Sequence, residues 1–336
     1  MKAWRIENDD GIDALALTDI AIGDPGPGEV RVRVMASSIN RRDFNTVRAP
    51  GARNTPLPRI PNSDAAGEVV AVGAGVREFK PGDRVASCFF KRWQAGRMTG
   101  AIMASALGGA EEGMLSEETI LPETGLVPLP DHLSWTEGAT LTCAGVTAWN
   151  AMVEQGRLVA GETVLVMGTG GVSIFALQFA KAMGARVIVT SKSDEKLERA
   201  RGMGADETIN YMRTPDWEKE VLDLTGGRGV DQVVEVGGAG TLQKSIDSVA
   251  FGGHIGLIGV LTQGQVNPLP VLGKSIRLTG IYVGSREMFR RMNAAISANG
   301  IVPVVDRTFS FAEARAAYTA MGQDGHFGKI VINLEK

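Results

Sequence analysis

The sequence predicts an α/β protein in which a doubly wound parallel sheet is joined to a separate, β-rich domain. Three observations carry that expectation. The chain has 336 residues, more than one core usually holds at roughly 100 to 200 residues per domain. Its first 126 or so residues form short β-branched runs bounded by Gly and Pro, and from about residue 160 the pattern changes to strand, Gly turn and helix, repeated. Such alternation builds a parallel sheet with helices on both faces.

In the first half, Glu29-Val-Arg-Val-Arg-Val-Met35 alternates with period two, and Ala66-Gly-Glu-Val-Val-Ala-Val72 is a β-branched run; both read as strands of a partly open β structure. In the second, Thr163-Val-Leu-Val-Met167 precedes a helix from Val172 to Met183. Arg186-Val-Ile-Val-Thr190 leads into Asp194 to Arg201, Asp231-Gln-Val-Val-Glu-Val236 into Leu242 to Val249, and His254-Ile-Gly-Leu-Ile258 follows. After the β segment Ser275 to Gly284, an amphipathic helix from Met288 to Asn299 and a closing Lys329-Ile-Val-Ile-Asn333 fit no further βα unit, so they are expected to return to the first domain. The expected domains are therefore 1–126 with 287–336, and 127–286.

Composition excludes several classes. Hydrophobic residues make up 44% and charged residues 22%, unlike a disordered chain. A formal charge of −3 with interspersed signs gives no basic face for nucleic acid. The start lacks a charged segment followed by an apolar one, and no run of about 18 apolar residues occurs, so a cytoplasmic protein without membrane contact is expected. Cys88 and Cys143 are the only cysteines, and they form no CxxC pair.

Gly168-Thr-Gly170-Gly171-Val-Ser173 lies between an apolar strand and a helix. There the first Gly makes a tight turn, the second lets a pyrophosphate approach the backbone, and the helix N-terminus presents N–H groups to the anion. Ser173 takes the third position of GxGxxG, where a small residue suffices for helix–strand packing. The turn predicts a Rossmann dinucleotide site with Gly168, Gly170, Gly171 and Val172 against the phosphates. At the tip of the second strand, where NAD-binding folds usually carry Asp or Glu, the chain reads Thr190-Ser191-Lys192-Ser193. Ser191, Lys192 and Lys196 suit a 2′-phosphate, which points to NADPH; alternatively Ser193-Asp194 only cap the helix and the lysines are solvated.

The chain resembles the medium-chain dehydrogenase/reductase superfamily, within it the zinc-free, quinone-oxidoreductase-like branch. The resemblance spans nearly the whole sequence. It rests on Pro25-Gly-Pro-Gly-Glu-Val-Arg-Val-Arg-Val34, Asp64-Ala-Ala-Gly-Glu-Val-Val70, Gly73-Ala-Gly75, Lys80-Pro-Gly-Asp-Arg-Val85, Cys143-Ala-Gly-Val-Thr-Ala-Trp149, the Gly turn and Phe327-Gly-Lys-Ile-Val331. It implies a GroES-like catalytic domain, a cleft active site and a homodimer joined through the Rossmann sheets. Zinc alcohol dehydrogenases carry a Cys-His pair where this chain has Asn40-Arg41, and Gly-His-Glu where it has Asn62-Ser63-Asp64. Catalytic zinc needs three N, S or O protein ligands and an open position, so no metal is expected here. Cys143 matches a ligand position of some relatives but reads better as a small buried residue at a helix start.

Without a metal, hydrogen-bond donors must polarise the substrate oxygen while a reduced nicotinamide supplies hydride. Asn40 is the first candidate, with a turn cap as its alternative. Arg41 is a candidate for stabilising an enolate, or part of a local ion-pair cluster with Arg42 and Asp43. Tyr282 either lines the cleft or packs as an ordinary aromatic residue. By resemblance, Thr147 meets the nicotinamide side and Tyr211 the adenosine phosphate, though Tyr211 equally fits a surface role. Gly259, Val260, Tyr282, Val283 and Gly284 present backbone to the carboxamide, and Lys329 approaches the cofactor. The segment from Phe89 to Gly109 is either a lid or a core-packing excursion. His132, His254 and His326 show no metal spacing. The leading function is an NADPH-dependent reductase of a small quinone, enone or related conjugated carbonyl. A metal-free alcohol or aldehyde dehydrogenase and a catalytically silent NADPH-binding sensor or assembly protein remain as alternatives.

Overall fold

The computed structural model describes every residue except Val260, Asp324 and Lys336. It divides into two compact units, residues 1–146 with 284–336, and residues 147–283. In chain order the first unit holds β1 (Lys2–Ile6), β2 (Leu15–Asp19), β3 (Glu29–Ile39), β4 (Asp64–Val72), β5 (Arg84–Ser87), β6 (Glu118–Pro122) and β7 (Leu126–Pro128). The second holds β8 (Thr163–Met167), β9 (Arg186–Ser191), β10 (Glu207–Asn210), β11 (Val230–Glu235), β12 (Val249–Leu257) and β13 (Arg277–Gly280). β14 (Val305–Ser310) and β15 (Lys329–Asn333) belong to the first unit again.

In the first unit β1 and β2 form an antiparallel pair, and a seven-stranded sheet runs β14-β15-β3-β4-β5-β7 with β6 also paired to β3. The expected period-two pattern holds in β3, where Val30, Val32 and Val34 are buried and the residues between them are not. Beyond Met35 the strand sinks into the interior, and Ala36, Ser37, Ser38 and Ile39 are all buried. It delivers Asn40 to the buried end of the sheet. The division between units falls at 146/147, later than the expected 126/127. β7 pairs with β5, Thr142 Oγ1 donates to Ser87 O at 2.8 Å, and Cys143 N donates to Asp64 Oδ2 at 3.3 Å; these bonds hold the intervening segment to the first unit. The helix Arg286–Asn299 begins before the expected Met288 because Ser285 caps it, its Oγ accepting from Met288 N. Buried Arg286 anchors the returning segment by donating to Leu126 O at 2.7 Å and pairing with Glu78.

The second unit is one parallel sheet ordered β10-β9-β8-β11-β12-β13, the Rossmann arrangement with its order reversing between β8 and β11. Val164, Leu165 and Val166 of β8 are fully buried, as a central strand covered on both faces requires. The flanking helices are Gly171–Ala182, Asp194–Gly202, Trp217–Leu224 and Ala239–Ser248. Among the described residues, no helix is long and apolar enough to cross a membrane.

Candidate functional site

In the second unit the phosphate turn takes the form the glycines require. Gly168 has φ +70°, in the left-handed region, and its N–H donates to Thr190 O at 2.8 Å. Gly170 caps the helix, and a Cβ placed there would meet nothing within 4 Å, so the space above the turn is open. Gly171 and Val172 form the first turn, whose N–H groups have no partner within the helix. Ser173 contributes more than small size. Its buried Oγ donates to Met167 O at 2.7 Å and ties helix to strand.

At the tip of β9, Ser191 is buried and its Oγ accepts from Ser193 N, while Lys192 is exposed. Ser193 does cap the next helix, accepting from Lys196 N at 3.3 Å. Asp194, the nearest carboxylate, is drawn aside: Arg213 pairs with it and Asn210 Nδ2 donates to it at 2.6 Å. Tyr211 follows β10 half-buried, and its N–H donates to Ser191 O.

Sequence reasoning passed over Glu235, the last residue of β11 beside the reversal point. Its buried Oε1 accepts from Gly237 N at 2.7 Å, Gly238 N at 3.1 Å and Thr241 Oγ1 at 2.8 Å, and Ser245 Oγ donates to Oε2. The carboxylate thereby shapes the loop that follows. Gly259 lies so close to Val236 that a Cβ would fall 1.9 Å from its carbonyl oxygen, so only glycine fits. Val260 lies outside the described residues. Thr147 is buried, and Tyr282 is 44% exposed. Val283, a β-branched residue, has φ +55°, and Asn150 Nδ2 holds its carbonyl at 2.7 Å. Strain of this kind, about 1 to 3 kcal/mol, persists only where surrounding structure enforces it. At Gly284 a Cβ would lie 2.5 Å from Val146 Cγ1.

In the first unit a buried polar cluster forms where three strands meet. Ser38 pairs with Asp64 between β3 and β4, and Ile39 pairs with Ile330 between β3 and β15. One residue further, Asn40 and Lys329 face each other. Lys329 Nζ donates to Ile39 O at 3.0 Å and to Asn40 Oδ1, and lies 3.8 Å from Asp64 Oδ2. Asn40 Nδ2 donates to Asp43 Oδ2 at 3.1 Å, and Asp43 Oδ2 also accepts from Asn40 N at 2.9 Å. Lysine only donates and carboxylate only accepts, so the amide has one orientation, Oδ1 toward Lys329 and Nδ2 toward Asp43. Gly328, at φ +82° and packed on Val304 O, sets the turn that aims Lys329 inward.

Asp64 accepts from Ser63 Oγ at 2.6 Å, Ser38 Oγ at 3.1 Å and Cys143 N. Burial raises its carboxyl above the usual carboxylate range; Lys329 opposes this, nearby Asp43 adds to it, and hydrogen bonds from Ser63 and Asn40 oppose it. Asn62, at φ +67°, accepts from the buried Tyr318 hydroxyl and donates to Ser37 Oγ at 2.9 Å. Arg42 does pair with Asp43, at 3.1 Å, and its guanidinium lies 4.6 Å from the Phe89 ring centroid. Arg41 is half-buried, 5.5 Å from the Phe44 ring centroid. The segment after Phe89 is packed at both ends, with Phe89, Phe90, Trp93 and Leu107 buried, and exposed over much of Gln94 to Ala104.

Cys143 sits at a helix start as expected, in the turn Leu141–Gly145, half-buried with its thiol facing inward, and the thiol is pushed above the usual range first by burial and then by the charge of Asp64. Asn40, Asp64 and Cys143 do converge, yet their cluster already contains an ammonium, and no group of three His, Cys, Asp or Glu able to hold a metal occurs among the described residues. These residues do not fit zinc. The phosphate turn and strand tip do fit a nicotinamide dinucleotide.

Comparison with known proteins agrees with this architecture. Residues 26–131 match the family model of the alcohol dehydrogenase GroES-like domain, and residues 171–298 that of the zinc-binding dehydrogenases. A zinc-type alcohol dehydrogenase-like protein of Schizosaccharomyces pombe is 44% identical over 317 residues, 92% of each chain. A quinone oxidoreductase of Pseudomonas aeruginosa is 32% identical over 335 residues, 96% of each. A solved NAD-dependent alcohol dehydrogenase superposes with a TM-score of 0.90 at 33% identity, over 99% of this chain and all of the other. The chain belongs to the medium-chain dehydrogenase/reductase superfamily, with zinc-type alcohol dehydrogenase-like and quinone oxidoreductase relatives. It is an oxidoreductase of a family whose members bind a nicotinamide cofactor.

Proposed function

We propose that this protein uses NADPH to reduce a small conjugated carbonyl, a quinone or an enone, without a metal. The observation that carries the reading is the Asn40 amide, buried and fixed in orientation at the end of β3 by Lys329 on one side and Asp43 on the other. When bound, a reduced nicotinamide supplies the hydride. Gly168, Gly170, Gly171 and Val172 hold the pyrophosphate, and Ser191, Lys192 and Lys196 hold the 2′-phosphate, with Asp194 neutralised by Arg213. Thr147, Tyr211, Gly259, Val260, Tyr282, Val283 and Gly284 complete the proposed cofactor contacts, whereas Lys329, expected to approach the cofactor, has its ammonium enclosed by Ile39 O, Asn40 and Asp64 and acts through Asn40. Glu235 and Asn150 keep the loops around two of them in shape.

Hydride attack at the β-carbon of an enone leaves charge spread over an enolate. An amide N–H stabilises that charge more readily than the concentrated charge of an alkoxide. Asn40 offers an N–H by exchanging its bond to a neighbouring carboxylate for one to the enolate oxygen, and the donor is strengthened because the amide oxygen accepts from an ammonium; Arg41 adds positive charge, and Tyr282 orients the acceptor. Protonation of the enolate comes from solvent. The name of the quinone oxidoreductase relative supports the substrate class, whereas the solved NAD-dependent relative makes cofactor preference a point for measurement. A homodimer through the β13 edge is part of this proposal, supported by exposed Leu269, Leu272, Leu278 and Phe251 in the same unit.

The test is an anaerobic panel of quinones, enones and saturated aldehydes with NADPH and NADH. The enone C=C bond is expected to be reduced faster than a saturated aldehyde of similar size. Asn40→Ala is expected to lower kcat roughly 100-fold with little change in NADPH affinity. An allylic alcohol product would favour the alcohol dehydrogenase reading.

A further inference from the structure

We infer that the cluster at the end of β3 is a cation site whose occupant is the chain's own Lys329 ammonium. Four separate stretches of chain converge on it. Ile39 O and Asn40 Oδ1 accept from Nζ, Asp64 supplies the facing carboxylate, and Cys143 closes the side toward Asp64 through its backbone N–H. The Lys329 side chain is 4% exposed and that of Asp64 is fully buried, so solvent screens neither charge. Arg42 is bound to Asp43 and to Leu107 O, which leaves Lys329, among the described residues, as the cation paired with Asp64.

A resident ammonium does two things there. It compensates Asp64, which burial alone would force toward the neutral form, and it fixes the Asn40 oxygen so that the amide nitrogen is turned toward the carboxylates of Asp43 and Asp64. It also fills and charges the space that a divalent ion would need. The poor fit of this family member to zinc then has a positive cause, an internal occupant, as well as the lack of ligands. Lys329 is a positioning residue in this account, and the account rests on the proposed metal-free reduction only for its catalytic meaning.

Stability and metal content, read without cofactor or substrate, test the occupant independently of the reaction. Wild-type protein is expected to contain no stoichiometric zinc. Lys329→Ala is expected to melt roughly 10 °C lower, the size of effect that follows from stranding a buried charge. Lys329→Ala combined with Asp64→Asn is expected to recover most of that loss, because a neutral amide needs no counter-charge. Excess ethylammonium chloride is expected to raise the melting temperature of Lys329→Ala, but not of wild type, beyond the effect of equal sodium chloride. About one tightly bound zinc per wild-type chain would overturn the inference. So would a double variant no more stable than the single one, or a folded Lys329→Ala indifferent to ethylammonium. Should Lys329→Ala fail to fold, the double variant decides: its folding supports the internal cation, and its failure refutes it.

Discussion

Lys192→Ala isolates the contribution of the strand tip to cofactor choice. The Lys192 side chain is exposed beyond β9 and makes no ion pair among the described residues, so removing it disturbs no structural contact. The competing carboxylate, Asp194, is already occupied by Arg213 and by Asn210 at 2.6 Å. A charge-assisted hydrogen bond to a 2′-phosphate is worth about 1.5 to 3 kcal/mol where water is excluded. At an exposed lysine, screening reduces that to about 1 to 1.5 kcal/mol, roughly a tenfold change in affinity. The variant is therefore expected to raise the KM for NADPH about tenfold and leave that for NADH within about twofold. Initial rates with both cofactors, and calorimetric titration of NADP⁺ and NAD⁺, provide the assay. Equal losses for the two cofactors, or a wild type that prefers NADH, would refute the reasoning from the strand tip.

Two further outcomes follow from the second unit. His254 lies buried in β12, and burial, with a smaller contribution from Arg277, pushes its pKa down to about 4. Because the folded value lies below the unfolded value of about 6.5, only the unfolded chain takes up this proton between those limits. Stability is thus unaffected by His254 above pH 6.5 and falls by roughly 3 kcal/mol as pH drops toward 4. Urea unfolding from pH 7.5 to 4.5 should show a shallower acid decline for His254→Leu than for wild type; parallel declines would contradict this. For the proposed dimer, Leu272→Glu should shift the sedimenting species from two chains to one, since Leu272 is 79% exposed beside the edge strand. A wild type that sediments as a monomer would remove the basis for that surface.

The phosphate turn was legible because its cause is local. Gly168 needs a left-handed backbone, Gly170 needs open space, and both demands arise within a few residues of one strand and one helix. The parallel, doubly wound character of the second sheet was legible too, since alternating strands and helices admit few right-handed arrangements, whereas its strand order came only from the structure. Ser173 shows the limit of such local reading. Its size was expected to serve packing, and its hydroxyl bond to Met167 O depended on where the helix axis lies.

By itself, then, the sequence determined the α/β class, the return of the last segment to the first unit and the glycine turn, all through short-range periodicity and backbone sterics. Tertiary structure alone decided what surrounds Asn40. The antiparallel register of β3 with β15 brings residue 329 opposite residue 40, and the register of β3 with β4 adds Asp64. Nothing within a local window encodes that meeting. Tyr318 reaches Asn62 across a comparably long separation, and Glu235 became a loop organiser only once Gly237, Gly238, Thr241 and Ser245 closed around it. The physical reason is the same in each case: a side chain's hydrogen-bond partners, its burial and hence its charge are properties of the assembled sheet, fixed by contacts between residues far apart in the chain.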